Sequence, residues 1–415
     1  MDEKIDRALL VMSFDKRTTD EFIVDYKNEF QELAKACNLE VENFMIQKRD
    51  KIEVTTFIGS GKVEEIKNFV NDNQVDIVVF NVELSGVQIR NLEDEISCKV
   101  IDRTMLILDI FARRAKSSIS RMQVELAQQK YRLPRLIGLN ENLSRAGSGI
   151  GGRGPGEQKL ELDRRKINDR ISELSKKLKD AEEKIEVTKK NRIKNNVKTC
   201  ALVGYTNAGK STLLNLFVDK YGIKADDAKV FAKDMLFATL DTYSRRLDIL
   251  NKEVIMTDTV GFVSDLPHSL VKAFSSTLNE VKDADLILNI IDISDKNYLM
   301  QKKVTLDTLK DLGVDLEKVI CVYNKADKLN EILDDEIYIS GKEDFGIENL
   351  KDIILDKLFG SIINAKFLIP YDKSKYYDTL LNSSEILSES YEENGYLINA
   401  NLTAEIYCDF KCFEV

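Results

Sequence analysis

Eight consecutive residues, Gly204-Tyr205-Thr206-Asn207-Ala208-Gly209-Lys210-Ser211, have the spacing GxxxxGK[ST]. An apolar run over 200–203 leads into them and a helix-prone run follows, which is the strand, loop and helix context that phosphate binding demands. Gly204 and Gly209 let the backbone turn tightly, so that N–H groups from Tyr205 to Thr212 and the helix N-terminus face an anion. Lys210 adds a point charge and Ser211 a hydroxyl ligand for Mg2+. The alternative is a glycine loop that merely turns the chain.

This cradle alone leaves ATP and GTP open. Downstream, the apolar run 319–323 ends in Asn324-Lys325-Ala326-Asp327, and that tetrapeptide discriminates. Guanine offers N1–H and N2–H2 to one carboxylate, whereas adenine would leave Asp327 unpaired; selection of this kind reaches ~10^4. Asn324 is expected to tie this loop to the cradle, and the stem of Lys325 to cover one face of the base. A third strand, 337–339, runs into Ser340-Gly341-Lys342, where a backbone N–H can meet the guanine O6.

Between these loops a strand over 254–257 ends in Asp258-Thr259-Val260-Gly261, a DxxG pattern. Asp258 is expected to hold Mg2+ through a water and the Gly261 N–H to reach the γ-phosphate, so that hydrolysis releases a second switch, 262–269. A first switch, 234–242, contains Phe237-Ala238-Thr239-Leu240-Asp241 and offers Thr239 as the second side-chain magnesium ligand, with Thr242 as competitor. Lys210, Thr239 and Gly261 are then the catalytic set. A glutamine that would orient the attacking water is missing: Phe262 stands directly after the DxxG, so slow intrinsic hydrolysis is expected. His268, the one histidine, reads as a solvent-facing switch residue rather than a general base.

Such loops must be carried by strands and helices in alternation, and the chain of 415 residues supplies them in four parts. Residues 1–103 read as a small α/β domain with strands at 8–14, 41–46, 75–80 and 99–101 and a helix over 18–37 capped by Thr18 or Thr19. Gly59-Ser60-Gly61-Lys62 has the wrong spacing for a nucleotide loop and marks the start of a helix. Residues 104–197 read as a long antiparallel helical hairpin: Ala115, Ile119, Met122, Leu126, Gln129 and Leu133 match Ile167, Ile171, Leu174, Leu178, Ala181 and Ile185 as two coiled-coil seams. A glycine-rich connection, 134–157, joins them; a flexible linker is the competing reading. Residues 198–358 form the nucleotide domain. Residues 360–415 form a small α+β appendage with a strand at 365–369, a helix at 374–382 and alternating runs, 385–391 and 397–407, joined at Asn394-Gly395.

The net charge of −10 is unevenly spread. Residues 112–198 carry 23 Lys and Arg against 11 Asp and Glu, leaving 38 against 60 for the rest. A basic module on an acidic body points to a polyanionic partner for one region, nucleic acid being the commonest. Arg135, Arg145, Arg153, Arg164 and Arg165 are the RNA-binding candidates, the middle two on the glycine-rich loop. No apolar run approaches the about 18 residues of a membrane span, leaving only peripheral membrane contact open. The acidic start and six scattered cysteines suit a cytoplasmic protein with free thiols, expected as a monomer.

The order GYTNAGKS, FATLD, DTVGF, NKAD and SGK, behind a helical pair carrying RAGSGIGGRGPGEQKLELDRR, closely resembles the HflX family of translation-factor-class GTPases. IGSGKVEEI and VFNVELSGVQIRNLE in the first domain, and DRTMLILDIFARRA with QVELAQQKYRLPRL in the helices, extend the resemblance over most of the chain. It implies a GTPase that binds the large ribosomal subunit or the whole ribosome and, in characterised relatives, splits stalled or idle ribosomes. The loop between the helices would reach toward the peptidyl-transferase region. Thr242-Tyr243-Ser244 and Ser340-Gly341-Lys342 depart mildly from the family pattern. Two other readings stand beside it, a binary signalling switch with a protein effector and an ATP- or GTP-driven RNA remodeller.

Overall fold

A computed structural model describes residues 5–137, 155–194, 197–223, 243–249, 252–264, 280–329 and 336–415. These fall into two compact units, 5–186 and 187–415. The first switch from Phe237 to Thr242, most of the second including His268, and the loop arginines Arg145 and Arg153 lie outside the described residues.

The first unit is built on a parallel sheet of β1 (Asp6–Phe14), β2 (Leu39–Lys48), β3 (Ile77–Phe80) and β4 (Lys99–Asp102), in the order β2-β1-β3-β4. Ala8, Leu9, Leu10, Val11 and Met12 are all fully buried, the signature of a strand covered on both faces. Around the sheet run α1 (Asp20–Ala36), α2 (Ser60–Asn73), α3 (Gly86–Ile96) and α4 (Arg103–Arg114). Thr19 caps α1 by accepting the Phe22 N–H, and Ile23, Tyr26, Phe30 and Leu33 bury its inner face at helical spacing. Helix α2 begins at Ser60, so the Gly59–Lys62 stretch opens a helix.

Helix α4 corrects the sequence reading, which assigned it to the hairpin. Leu106, Ile107, Ile110 and Phe111 are buried, and α4 packs on β3, β4 and α1 as well as on the hairpin helix that follows it. Its apolar face is too wide for one partner helix and needs the sheet. The hairpin itself consists of α5 (Ser118–Ile137) and α6 (Pro155–Lys194). Leu126 meets Leu174 and Leu178, flanked by Ile119, Met122 and Ile171. Arg170 closes the seam with a two-pronged grip on Glu125 at 2.6 and 2.8 Å. Ala115, expected in the same seam, instead terminates α4.

A second face of α5 packs on α3 and α4, and there Arg135 departs from expectation. Rather than extending an open positive surface it turns inward, with only 17% of its side chain exposed. It donates to Leu84 O at 2.8 Å and Asp102 at 3.3 Å, over the Tyr131 ring. Asp102 is fully buried and also accepts from Leu84 N–H, Met105 N–H and the Tyr131 hydroxyl. A buried carboxylate demands such partners, and it draws the nearest guanidinium in. Arg164 and Arg165 remain on the surface of α6, beside Glu161.

The second unit has a six-stranded sheet in the order β10-β9-β8-β5-β7-β6: β5 (Lys198–Gly204), β6 (Tyr243–Ile249), β7 (Lys252–Asp258), β8 (Leu286–Asp292), β9 (Val319–Asn324) and β10 (Ile337–Tyr338). Only β6 runs antiparallel. Helices α7 (Lys210–Tyr221), α8 (Tyr298–Asp311) and α9 (Ile347–Phe359) accompany it. Beyond lies an antiparallel sheet of β11 (Ile362–Ile369), β12 (Glu385–Glu392) and β13 (Gly395–Thr403), with α10 (Ser374–Ser383) and α11 (Ala404–Phe410). The chain after Thr403 is helical, not the continued strand that alternation suggests, because Phe410 must join the core of Phe367, Leu380 and Ile398. Strand β12 is the outer strand of that sheet, with Leu387, Glu389, Tyr391 and Glu392 exposed. Among the described residues no helix is long and apolar enough to cross a membrane.

Asp102→Ala removes four hydrogen-bond acceptor contacts and strands Arg135 without its buried carboxylate. The expected loss is about 3–5 kcal/mol, read from urea denaturation of the full chain.

Candidate nucleotide site

The phosphate loop joins β5 to α7 at the carboxyl end of the sheet. Gly209 takes φ +96°, and a Cβ there would lie 2.2 Å from Asn324 Nδ2, so the position excludes any side chain. Asn207 is also left-handed and exposed, while Ala208 is buried and Thr212 exposed on the first turn of α7. Lys210 Nζ donates to Gly204 O at 3.1 Å and Tyr205 O at 2.8 Å. Burial pushes its ammonium down to about 8, the Asp258 carboxylate opposing the shift. A cation so desolvated gains from an anion placed beside it. Thr206 Oγ1 is buried and has no hydrogen-bond partner among the described residues, a further polar atom suited to a phosphate. These features fit a nucleotide's phosphates.

Ser211 Oγ donates to Asp258 Oδ2 at 2.6 Å, so a hydroxyl and a fully buried carboxylate from two motifs converge. Thr259 faces the other way, donating to Leu202 O, and Val260 is half-buried. Gly261 is buried next to Lys210.

The base-reading loops are joined to this cradle by one amide. Asn324 Nδ2 donates to Ala208 O at 2.8 Å, and Asn324 Oδ1 accepts from Gly341 N–H at 3.1 Å. Lys325 is left-handed, φ 64°, and its ammonium pairs with Asp292 at 2.6 Å. Ala326 is buried, its N–H donating to Ile339 O. Ser340 Oγ donates to Asp327 Oδ1 at 2.6 Å and holds that carboxyl below the usual carboxylate range, ionised and exposed to receive a base. The N–H groups of Ser340 and Gly341 are already taken by Phe345 O and Asn324, while Lys342 is exposed.

Sequence reasoning missed two contributors. Asp292, which ends β8, fixes Lys325; its only signal is an acid closing the apolar run 286–291. Ser264 meets the Tyr205 hydroxyl at 2.6 Å, and no sequence pattern marks that pair.

A six-stranded sheet with one antiparallel strand, a phosphate loop behind β5 and a base-reading loop behind β9 defines a P-loop GTPase. The family models agree: residues 25–112 match the "GTP-binding GTPase N-terminal" family, 114–192 the "GTP-binding GTPase Middle Region" and 199–325 the "50S ribosome-binding GTPase" family. The GTPase HflX of Caldanaerobacter subterraneus subsp. tengcongensis is 45% identical over 405 residues, 97% of this chain and 92% of that one. That of Lacrimispora saccharolytica is 41% identical, covering 92% and 90%, and that of Escherichia coli 36%, covering 88% and 87%. The chain belongs to the HflX family: it binds GTP and hydrolyses it.

Asn324→Ala removes both tethers of the base-reading loops. A loss of about 1–3 kcal/mol is expected, or roughly 5- to 150-fold in Kd for a fluorescent GDP analogue.

Proposed function

We propose that this GTPase docks on the large ribosomal subunit or the whole ribosome through its basic helical pair, and that GTP hydrolysis times its departure, splitting or recycling stalled or idle ribosomes. The observation that carries this reading is the segregation of charge. Residues 112–198 hold 23 of the 61 Lys and Arg in a chain of net charge −10, and Arg164 and Arg165 present theirs at the surface. Phosphate-rich RNA is the partner such a surface favours. In the sequence Arg145 and Arg153 add two more cations to this basic region, whereas Arg135 serves the fold.

In this site Lys210, the backbone N–H groups of the loop and the Gly261 N–H would take the charge that develops on the triphosphate. Ser211 would hold Mg2+ directly, Asp258 through a water, with Thr239 as the further ligand. When bound there, the ion would supply charge neutralisation to the phosphates. Asp327 would accept both guanine donors while Lys325, steadied by Asp292, lies along the base. Phe262 is 3% exposed and carries no group that can orient water, which supports slow turnover by the protein alone and acceleration once a ribosome orders the switches.

Co-sedimentation with ribosomal subunits tests the docking. Binding is expected with a non-hydrolysable GTP analogue, to weaken with GDP, to fall log-linearly with salt, and to be lost in Arg145→Glu/Arg153→Glu. Binding that ignores nucleotide, or that survives the double substitution, rejects it. Asp327→Asn should lower GTP affinity by about two orders of magnitude or more against an unchanged weak ATP affinity, in competition assays.

A further inference from the structure

The chain just beyond Gly261 is fastened to the phosphate loop at two points. Phe262 N–H donates to Gly204 O at 3.1 Å, and Phe262 O accepts from Thr206 N–H at 2.8 Å, a one-residue parallel bridge with Tyr205. Two residues on, Ser264 N–H donates to the Tyr205 hydroxyl oxygen at 2.7 Å, and Ser264 Oγ lies 2.6 Å from the same oxygen. Tyr205 is 5% exposed, so these bonds form away from water and are worth more than surface ones. Gly261 is pressed onto the loop: a Cβ there would come within 2.9 Å of Thr206 and 3.1 Å of Lys210 Nζ.

We infer that Tyr205 is a positioning residue for GTP hydrolysis, whose hydroxyl holds Ser264 and so fixes the height of Gly261 over Lys210. The inference rests on the placement of the γ-phosphate beside Gly261 given under Proposed function. Phe262 has no polar side-chain atom to align a water, so alignment falls to backbone groups, and these are only as well placed as their anchors. The bridge at Phe262 holds this stretch to the loop at one residue, and the phenol holds it at a second, two residues on, so Gly261 is seated by a stretch fixed at two points. Ring burial alone would be served equally by phenylalanine; the hydroxyl has no packing reason to be there.

Tyr205→Phe therefore separates the two roles. In steady-state GTP hydrolysis by the full chain without ribosomes, kcat is expected to fall about tenfold while KM and GDP affinity stay within about twofold. Ser264→Ala keeps the N–H bond and loses only the hydroxyl, so a smaller fall, about threefold, is expected, and the double variant should fall no further than Tyr205→Phe. An unchanged kcat in Tyr205→Phe, or a loss of GDP affinity with kcat kept, overturns the inference. Gly261→Ala run beside them tells the two readings apart. Full turnover in that variant overturns the phosphate placement itself; turnover abolished there but untouched in Tyr205→Phe overturns the tyrosine's role alone.

Discussion

One carboxamide holds the nucleotide site together. Asn324 gives its Nδ2 to Ala208 O and its Oδ1 to Gly341 N–H, so three loops that end three different strands are fixed to each other by a single planar group. Its demands spread outward. Gly209 must lack a side chain because the amide sits where a Cβ would go. Lys325 must turn left-handed directly after it, and the acid that ends β8 must meet that lysine. Phosphate and base recognition, separate in the sequence, are one rigid object in the fold.

Much of this was legible in the chain because phosphate and guanine chemistry restrict residue types at fixed local spacing. The motifs GYTNAGKS, DTVG and NKAD could be placed on loops after strands, since the apolar runs ahead of them are short and end abruptly. Contacts between distant residues outside these motifs were not legible, whereas the tie from Asn324 to the cradle was. Arg135 reads as one more cation on a basic helix; only the fold reveals Asp102, buried at the end of β4, as its partner. Tyr205 and Ser264 carry no shared pattern. The step from strand to helix at Thr403 is hidden too, because Ile398, Ala400 and Leu402 alternate and the helical spacing of Ile406 and Phe410 is only one turn long. Ala115 fits a heptad by count, yet α4 ends there and α5 begins anew at Ser118.

The first unit shows how a basic arm is joined to a small sheet. Helix α5 has two masters: Leu126 answers to α6, and Tyr131 and Arg135 answer to Asp102. A coiled coil alone leaves rotation about its axis cheap, since surface ion pairs are weak. The buried carboxylate removes that freedom for α5, and the buried contact of Leu126 with Leu174 and Leu178 passes part of the constraint to α6. The exposed positive charge of Arg164 and Arg165 on α6 is thus separate from the buried positive charge of Arg135 that serves the fold.

The outer strand of the C-terminal sheet has a bearing on how the protein behaves in concentrated solution. Strand β12 offers unpaired backbone beside Leu387 and Tyr391, a combination that invites a neighbouring molecule to add on, and Glu389 and Glu392 stand along it. At neutral pH like charge keeps two such rims from approaching. At ionic strength high enough to shorten the Debye length to a few ångström, that repulsion fades while the apolar groups remain. Like charge along this strand therefore stands between its exposed apolar groups and a second copy of the chain, and ionic strength sets how far that repulsion reaches.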